Sequence, residues 1–125
     1  MFNKHTDTRV ETLICGELRT AKEQYGETFN SLHEAYAVAL EELEEVNIDV
    51  ENVKTAFSYF WEDVKSDIKS HIETDLRSTK YYAVEAIKEL AQFAAMIDKT
   101  LETLESMKIE DAKRENKDIG DAEVL

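Results

Sequence analysis

From Leu32 to Ile72, apolar residues recur at every third or fourth position. The series Leu32, Tyr36, Ala39, Leu43, Val46 continues through Val50, Val53, Phe57, Phe60 and Val64 to Ile68 and Ile72. Steps of three and four hold side chains on one face of an α-helix. No proline or glycine interrupts the series, and the whole chain of 125 residues has no proline and three glycines. A sheet-rich fold needs turn residues roughly every ten positions, so an all-α fold of long helices is predicted. One helix satisfies the spacing, and so do two helices broken near Asn47–Asp49. The lack of a helix breaker favours one.

The flanking segments carry their own signals. Val10, Ile14, Leu18, Ala21 and Tyr25 predict a first helix over 7–25, with Asp7 or Thr8 as its cap and Gly26 as the left-handed residue that ends it. Cys15, beside that stripe, reads as a small core residue. Ser31-Leu32-His33-Glu34 fits a capping box, in which Glu34 reaches back to the N-cap amide. The pattern resets over ETDLRST, residues 73–79, where Asp75 or Ser78 can begin another helix striped by Ala83, Ile87, Leu90, Ala94, Ile97, Leu101 and Leu104. From 109 onward the chain is polar with weak periodicity, which predicts a frayed or disordered tail over 109–125. The expectation is a single domain over 1–108: an antiparallel bundle of three to four long helices. A long helix apolar on two faces calls for a second subunit to complete it.

Charge narrows the function. With 28 acidic and 15 basic residues the net charge is -13, which repels nucleic-acid backbones and anionic lipid. No apolar run approaches membrane-spanning length. The single Cys15 excludes an internal disulfide and suits a reducing cytosol. The polar opening MFNKHTDTR has no signal-peptide apolar run. A cytoplasmic protein that binds neither nucleic acid nor membrane is expected.

The segment SLHEAYAVALEELEE, residues 31–45, crowds Glu34, Glu41, Glu42, Glu44 and Glu45 onto one helix. Like charges on adjacent turns cost a few tenths of a kcal/mol per pair, roughly. A solvated face explains such a run, and so does a cation among the carboxylates. Glu42 and Glu45 are three apart, and Glu41 and Glu45 four apart, so either pair could grip Mg²⁺. One helix cannot complete such a site. EAIKELAQFAAM, residues 85–96, offers a second face with Glu85, Glu89, Gln92 and Met96, and Glu89 is flanked by Ala86, Leu90 and Phe93. Two such helices suit a metal-bridged polyphosphate. Met96, Phe93 and Trp61 fit a core or an interface as well as a nucleobase pocket. No glycine-rich phosphate loop, zinc-type Cys/His spacing or Ser-His-Asp set is present.

The wording of these segments adds to their spacing. FNSLHEAYAVALEELEE, 29–45, resembles the part of phage and bacterial MazG-like proteins in which a His-Glu-x-Tyr-Ala run leads into E-E-x-x-E. EAIKELAQFAAM resembles their later segment, where E-x-x-D or E-x-x-Q precedes Ala-Ala-Met, and ELRTAKEQYGETF is similar to their introductory helix. The resemblance spans roughly residues 10–105. It implies an all-α nucleoside triphosphate pyrophosphohydrolase, a homodimer or homotetramer using Mg²⁺ or Mn²⁺, that hydrolyses a nucleoside triphosphate to the monophosphate and pyrophosphate. By position it implies Glu42, Glu45 and Glu89 as metal ligands and catalytic residues. Glu41 is the leading glutamate, and Gln92 stands where the family has its final aspartate. Glu45 and Glu89 are 44 positions apart, so VKTAFSYFWEDVKSDIKSHI between them reads as a lengthened helical section. The alternative is a non-catalytic self-association module that uses Phe57 to Trp61.

Overall fold

The computed structural model describes the backbone of residues 4–124 and the side chains of 4–117. Three helices account for the fold: α1 Lys4–Tyr25, α2 Leu32–Lys65 and α3 Lys69–Val124. Residue 125, the end of the expected tail, lies outside the described residues. α2 and α3 form an antiparallel hairpin, and α1 packs on α3 rather than along α2. Among the described residues no helix is long and apolar enough to cross a membrane.

The ends of α1 and α2 follow local chemistry. Gly26 takes a φ of 96°, and its N–H donates to the Lys22 carbonyl at 2.9 Å. Ser31 caps α2, its Oγ accepting from the Glu34 N–H at 3.1 Å. Only this half of the capping box forms. The Glu34 carboxylate turns instead to Asn30, accepting from its backbone N–H at 3.4 Å and from its Nδ2 at 3.1 Å.

The apolar series runs through Asn47–Asp49 without a break, as the lack of a helix breaker favours. The chain reverses instead at 66–68, inside the stretch read as continuous. Asp67 adopts a φ of 57°, a left-handed conformation that aspartate tolerates better than most residues. The Ile68 N–H donates to the Asp63 carbonyl at 2.9 Å to close the turn. Val64, Ile68 and Ile72 keep a four-residue rhythm across the reversal, which is why periodicity does not reveal it. Asp75 and Ser78, read as possible helix starts, lie inside α3. Asp67→Gly removes the left-handed penalty. It is expected to stabilise the fold by about 0.5 kcal/mol, read as a higher urea midpoint.

Helix packing centres on small residues. Ala21 of α1, Ala35 and Ala39 of α2, and Ala95 and Met96 of α3 share one buried cluster with Phe29, flanked by Ile14, Leu18, Val38 and Phe93. Cys15 is exposed; it sits off the stripe that Ile14, Leu18 and Ala21 turn toward α3. The connector is tied down from a distance. The Phe29 N–H donates to Thr103 Oγ1 at 3.0 Å, and Lys22 Nζ meets Glu102 Oε2 at 2.6 Å. α3 continues as helix through the segment expected to fray, and every described side chain from 108 to 117 is exposed.

A candidate metal centre

Glu42 and Glu45 stand on α2, and Glu89 and Gln92 stand on α3. Their meeting follows from the hairpin. Glu45 lies as far from the end of α2 at Lys65 as Glu89 lies from the start of α3 at Lys69. The lengthened section therefore adds equally to both helices and returns the second pair to the level of the first. Alanines at the helix–helix seam let the backbones approach closely. One carboxylate oxygen from each of Glu42, Glu45 and Glu89 lies within 4.8 Å of the others.

Three carboxylates this close cannot all stay ionised cheaply. Burial pushes the Glu89 carboxyl up to about 7, helped by its hydrogen bond with Glu45 and by the charges of Glu45, Glu42 and Asp49. Glu42 is also raised, first by burial and then by the charge of Glu45, while its hydrogen bond with Glu89 acts in the opposite direction. Gln92 joins the same group. With its amide nitrogen turned toward the carboxylates it donates to Glu42 Oε2 at 3.0 Å and to Glu89 Oε2 at 3.1 Å. A proton and an amide N–H thus do here what a cation does elsewhere: they offset negative charge between two helices.

The other crowded carboxylates separate by role. Glu41 lies outside the triad but lines the cavity beside Glu42. Glu34 is held by Asn30, and Glu44 is exposed. On α3, Glu85 pairs with Lys88 at 3.1 Å. The surface reading therefore holds for Glu44 and not for Glu42 or Glu89, both half-buried.

The cavity has a volume of about 810 Å³ and lies between α1, the 26–31 connector and the α2–α3 pair. Glu42 and Gln92 line one part of it, and Tyr25, Phe29, Asn30 and Lys99 line another. Lys99 was missed by the sequence reading. It is only 1% exposed, and its ammonium lies 4.3 Å from the Phe29 ring centroid. The signal was present: Glu89, Gln92, Met96 and Lys99 follow steps of three, four and three, one turn beyond the segment that carries the carboxylates.

Comparison of the chain with protein-family models, with curated proteins and with solved structures finds no match.

Proposed function

We propose that the chain is a divalent-cation-dependent nucleoside triphosphate pyrophosphohydrolase, acting in the cytoplasm. The observation that supports this is the convergence of Glu42, Glu45 and Glu89 from two helices, with Glu42 lining an open cavity. The donor set is hard oxygen only, which suits Mg²⁺ or Mn²⁺. Glu42, Glu45 and Glu89 would hold the ion, and Gln92 can present its amide oxygen once its nitrogen no longer bridges the carboxylates. A bound Mg²⁺ or Mn²⁺ supplies phosphate charge neutralisation and an activated water. Glu41, which lines the cavity outside the triad, would orient a water or take its proton. The test is product analysis by phosphorus NMR over a panel of NTPs and dNTPs with Mg²⁺. Monophosphate and pyrophosphate support the reading; a diphosphate with free phosphate, or no turnover with Mg²⁺ or Mn²⁺, counts against it.

A second reading, self-association, rests on a different surface. Phe57 and Trp61, one turn apart on α2, are 56% and 57% exposed, and Val64, one turn further along the same face, is exposed as well. A stable dimer covers about 800 Å² per partner, and these half-exposed side chains supply part of that area. The occupant proposed is a second copy of the chain, so the two readings are compatible. Trp61→Glu combined with Phe57→Glu is expected to shift the protein from dimer or tetramer to monomer on size exclusion at micromolar concentration, with an unchanged helical circular-dichroism spectrum. Equal elution of variant and wild type would remove this face from the assembly.

A further inference from the structure

We infer that Lys99 is an anion-binding residue of the cavity and holds the phosphate of a polyphosphate ligand that lies farthest from the carboxylate triad. The identity of the ligand rests on the function proposed above; the anion-binding role rests on Lys99 itself.

The Lys99 side chain is 1% exposed and lines the cavity, and its ammonium forms no ion pair and no hydrogen bond with any described residue. Its contacts are aromatic: 4.3 Å to the centroid of Phe29 and 6.0 Å to that of Tyr25. Lys22 shows the contrast. It is also partly covered, but it meets Glu102 at 2.6 Å and Glu27 at 3.5 Å, and the Glu102 hydrogen bond raises its pKa. A ring face attracts a cation but replaces only part of its lost hydration. A methionine would fill the same volume at lower cost. The ammonium therefore lacks one thing that the wall of the cavity leaves room for, an anion.

The surroundings hold Lys99 in place. Thr103 Oγ1 donates to the Lys99 carbonyl at 2.8 Å and accepts the Phe29 N–H at 3.0 Å. The ring under the ammonium and the backbone that carries the lysine are thus fixed to one hydroxyl. Along α3, Lys99 lies seven residues beyond Gln92, about 10 Å at the helical rise. Both residues line the same cavity. An extended polyphosphate chain met by the lysine's four-carbon stem bridges that separation. The phosphates near the triad require a cation between them and Glu42, Glu45 and Glu89; the distal phosphate requires none, because Lys99 supplies the charge.

Inorganic tripolyphosphate with Mg²⁺ is the probe, titrated calorimetrically into wild type, Lys99→Met and Lys99→Arg. Circular dichroism and thermal unfolding without ligand confirm that each variant is folded. Wild type is expected to bind, Lys99→Met to bind at least about tenfold more weakly, and Lys99→Arg to stay within a few-fold of wild type. Binding of Lys99→Met as tight as wild type overturns the inference, as does a wild type that binds no tripolyphosphate. The two proposals fail separately. Lysine-dependent tripolyphosphate binding without turnover of any NTP removes the enzyme reading and leaves Lys99 as an anion site. Turnover whose KM is the same in wild type and Lys99→Met removes the lysine and leaves the enzyme.

Discussion

Glu42→Gln/Glu45→Gln is expected to lose pyrophosphate release from nucleoside triphosphates by at least about a thousandfold while keeping the three-helix fold. A loss of this size corresponds to about 4 kcal/mol of transition-state stabilisation. It is the scale expected when a charge-stabilising group is removed from a site arranged around charge developing on phosphorus. Both glutamines can still hydrogen-bond Glu89, and two mutually repelling carboxylates disappear from a cluster within 4.8 Å. The melting temperature without metal should therefore stay the same or rise. Activity within about tenfold of wild type would place the chemistry elsewhere. A collapse in stability would mean that these carboxylates hold the helices together rather than a cation.

The protein without divalent cation is expected to be less stable at pH 8 than at pH 5, and Glu89 is the main reason. Its carboxyl titrates at about 7 in the folded chain against an ordinary value of 4.5. Between those values the folded state holds a proton that the unfolded state has released. This contribution is fully present below about 4.5 and is lost as pH rises through 7. Glu42 is shifted in the same direction, first by burial. The loss should amount to roughly 2 kcal/mol once solvent screening of a half-buried group is allowed for. Urea midpoints at the two pH values measure it. Glu89→Gln, which cannot ionise, should flatten the dependence and be the more stable protein at pH 8. A cation competes with the proton for the same oxygens, so Mg²⁺ should restore stability at pH 8 and bind more tightly as pH rises through 7. The same pH dependence in Glu89→Gln as in wild type would assign the effect to other groups.

Much of the fold was legible because helix ends are local. Gly26 ends α1 and Ser31 starts α2 through bonds to their own neighbours. The reversal at 66–68 was not legible. Asp67 does there what glycine usually does, and the apolar rhythm carries on across the turn. The carboxylates were legible as groups on separate helices, but spacing offered Glu41 with Glu45 as readily as Glu42 with Glu45, and only the resemblance to MazG-like proteins singled out Glu42. What brings the groups together is the equal length of chain on either side of the turn, and that depended on the turn the sequence reading misplaced. Glu34 was read as reaching for its own cap amide, whereas Asn30 competes for it. Lys99 escaped notice because a lysine in an apolar stripe resembles an ordinary surface charge until Phe29 and Thr103, 74 positions apart, are seen to enclose it.

The central claim is that Glu42, Glu45 and Glu89 hold a divalent cation against the phosphates of a nucleotide. The most direct measurement is anomalous diffraction from crystals grown with Mn²⁺ and a non-hydrolysable α,β-imido nucleoside triphosphate. The account predicts an anomalous peak among those three carboxylates, with Gln92 turned to present its oxygen and with triphosphate density running from the peak toward Lys99. Nucleotide density elsewhere, or carboxylates still bridged by the Gln92 nitrogen with no peak between them, would contradict it.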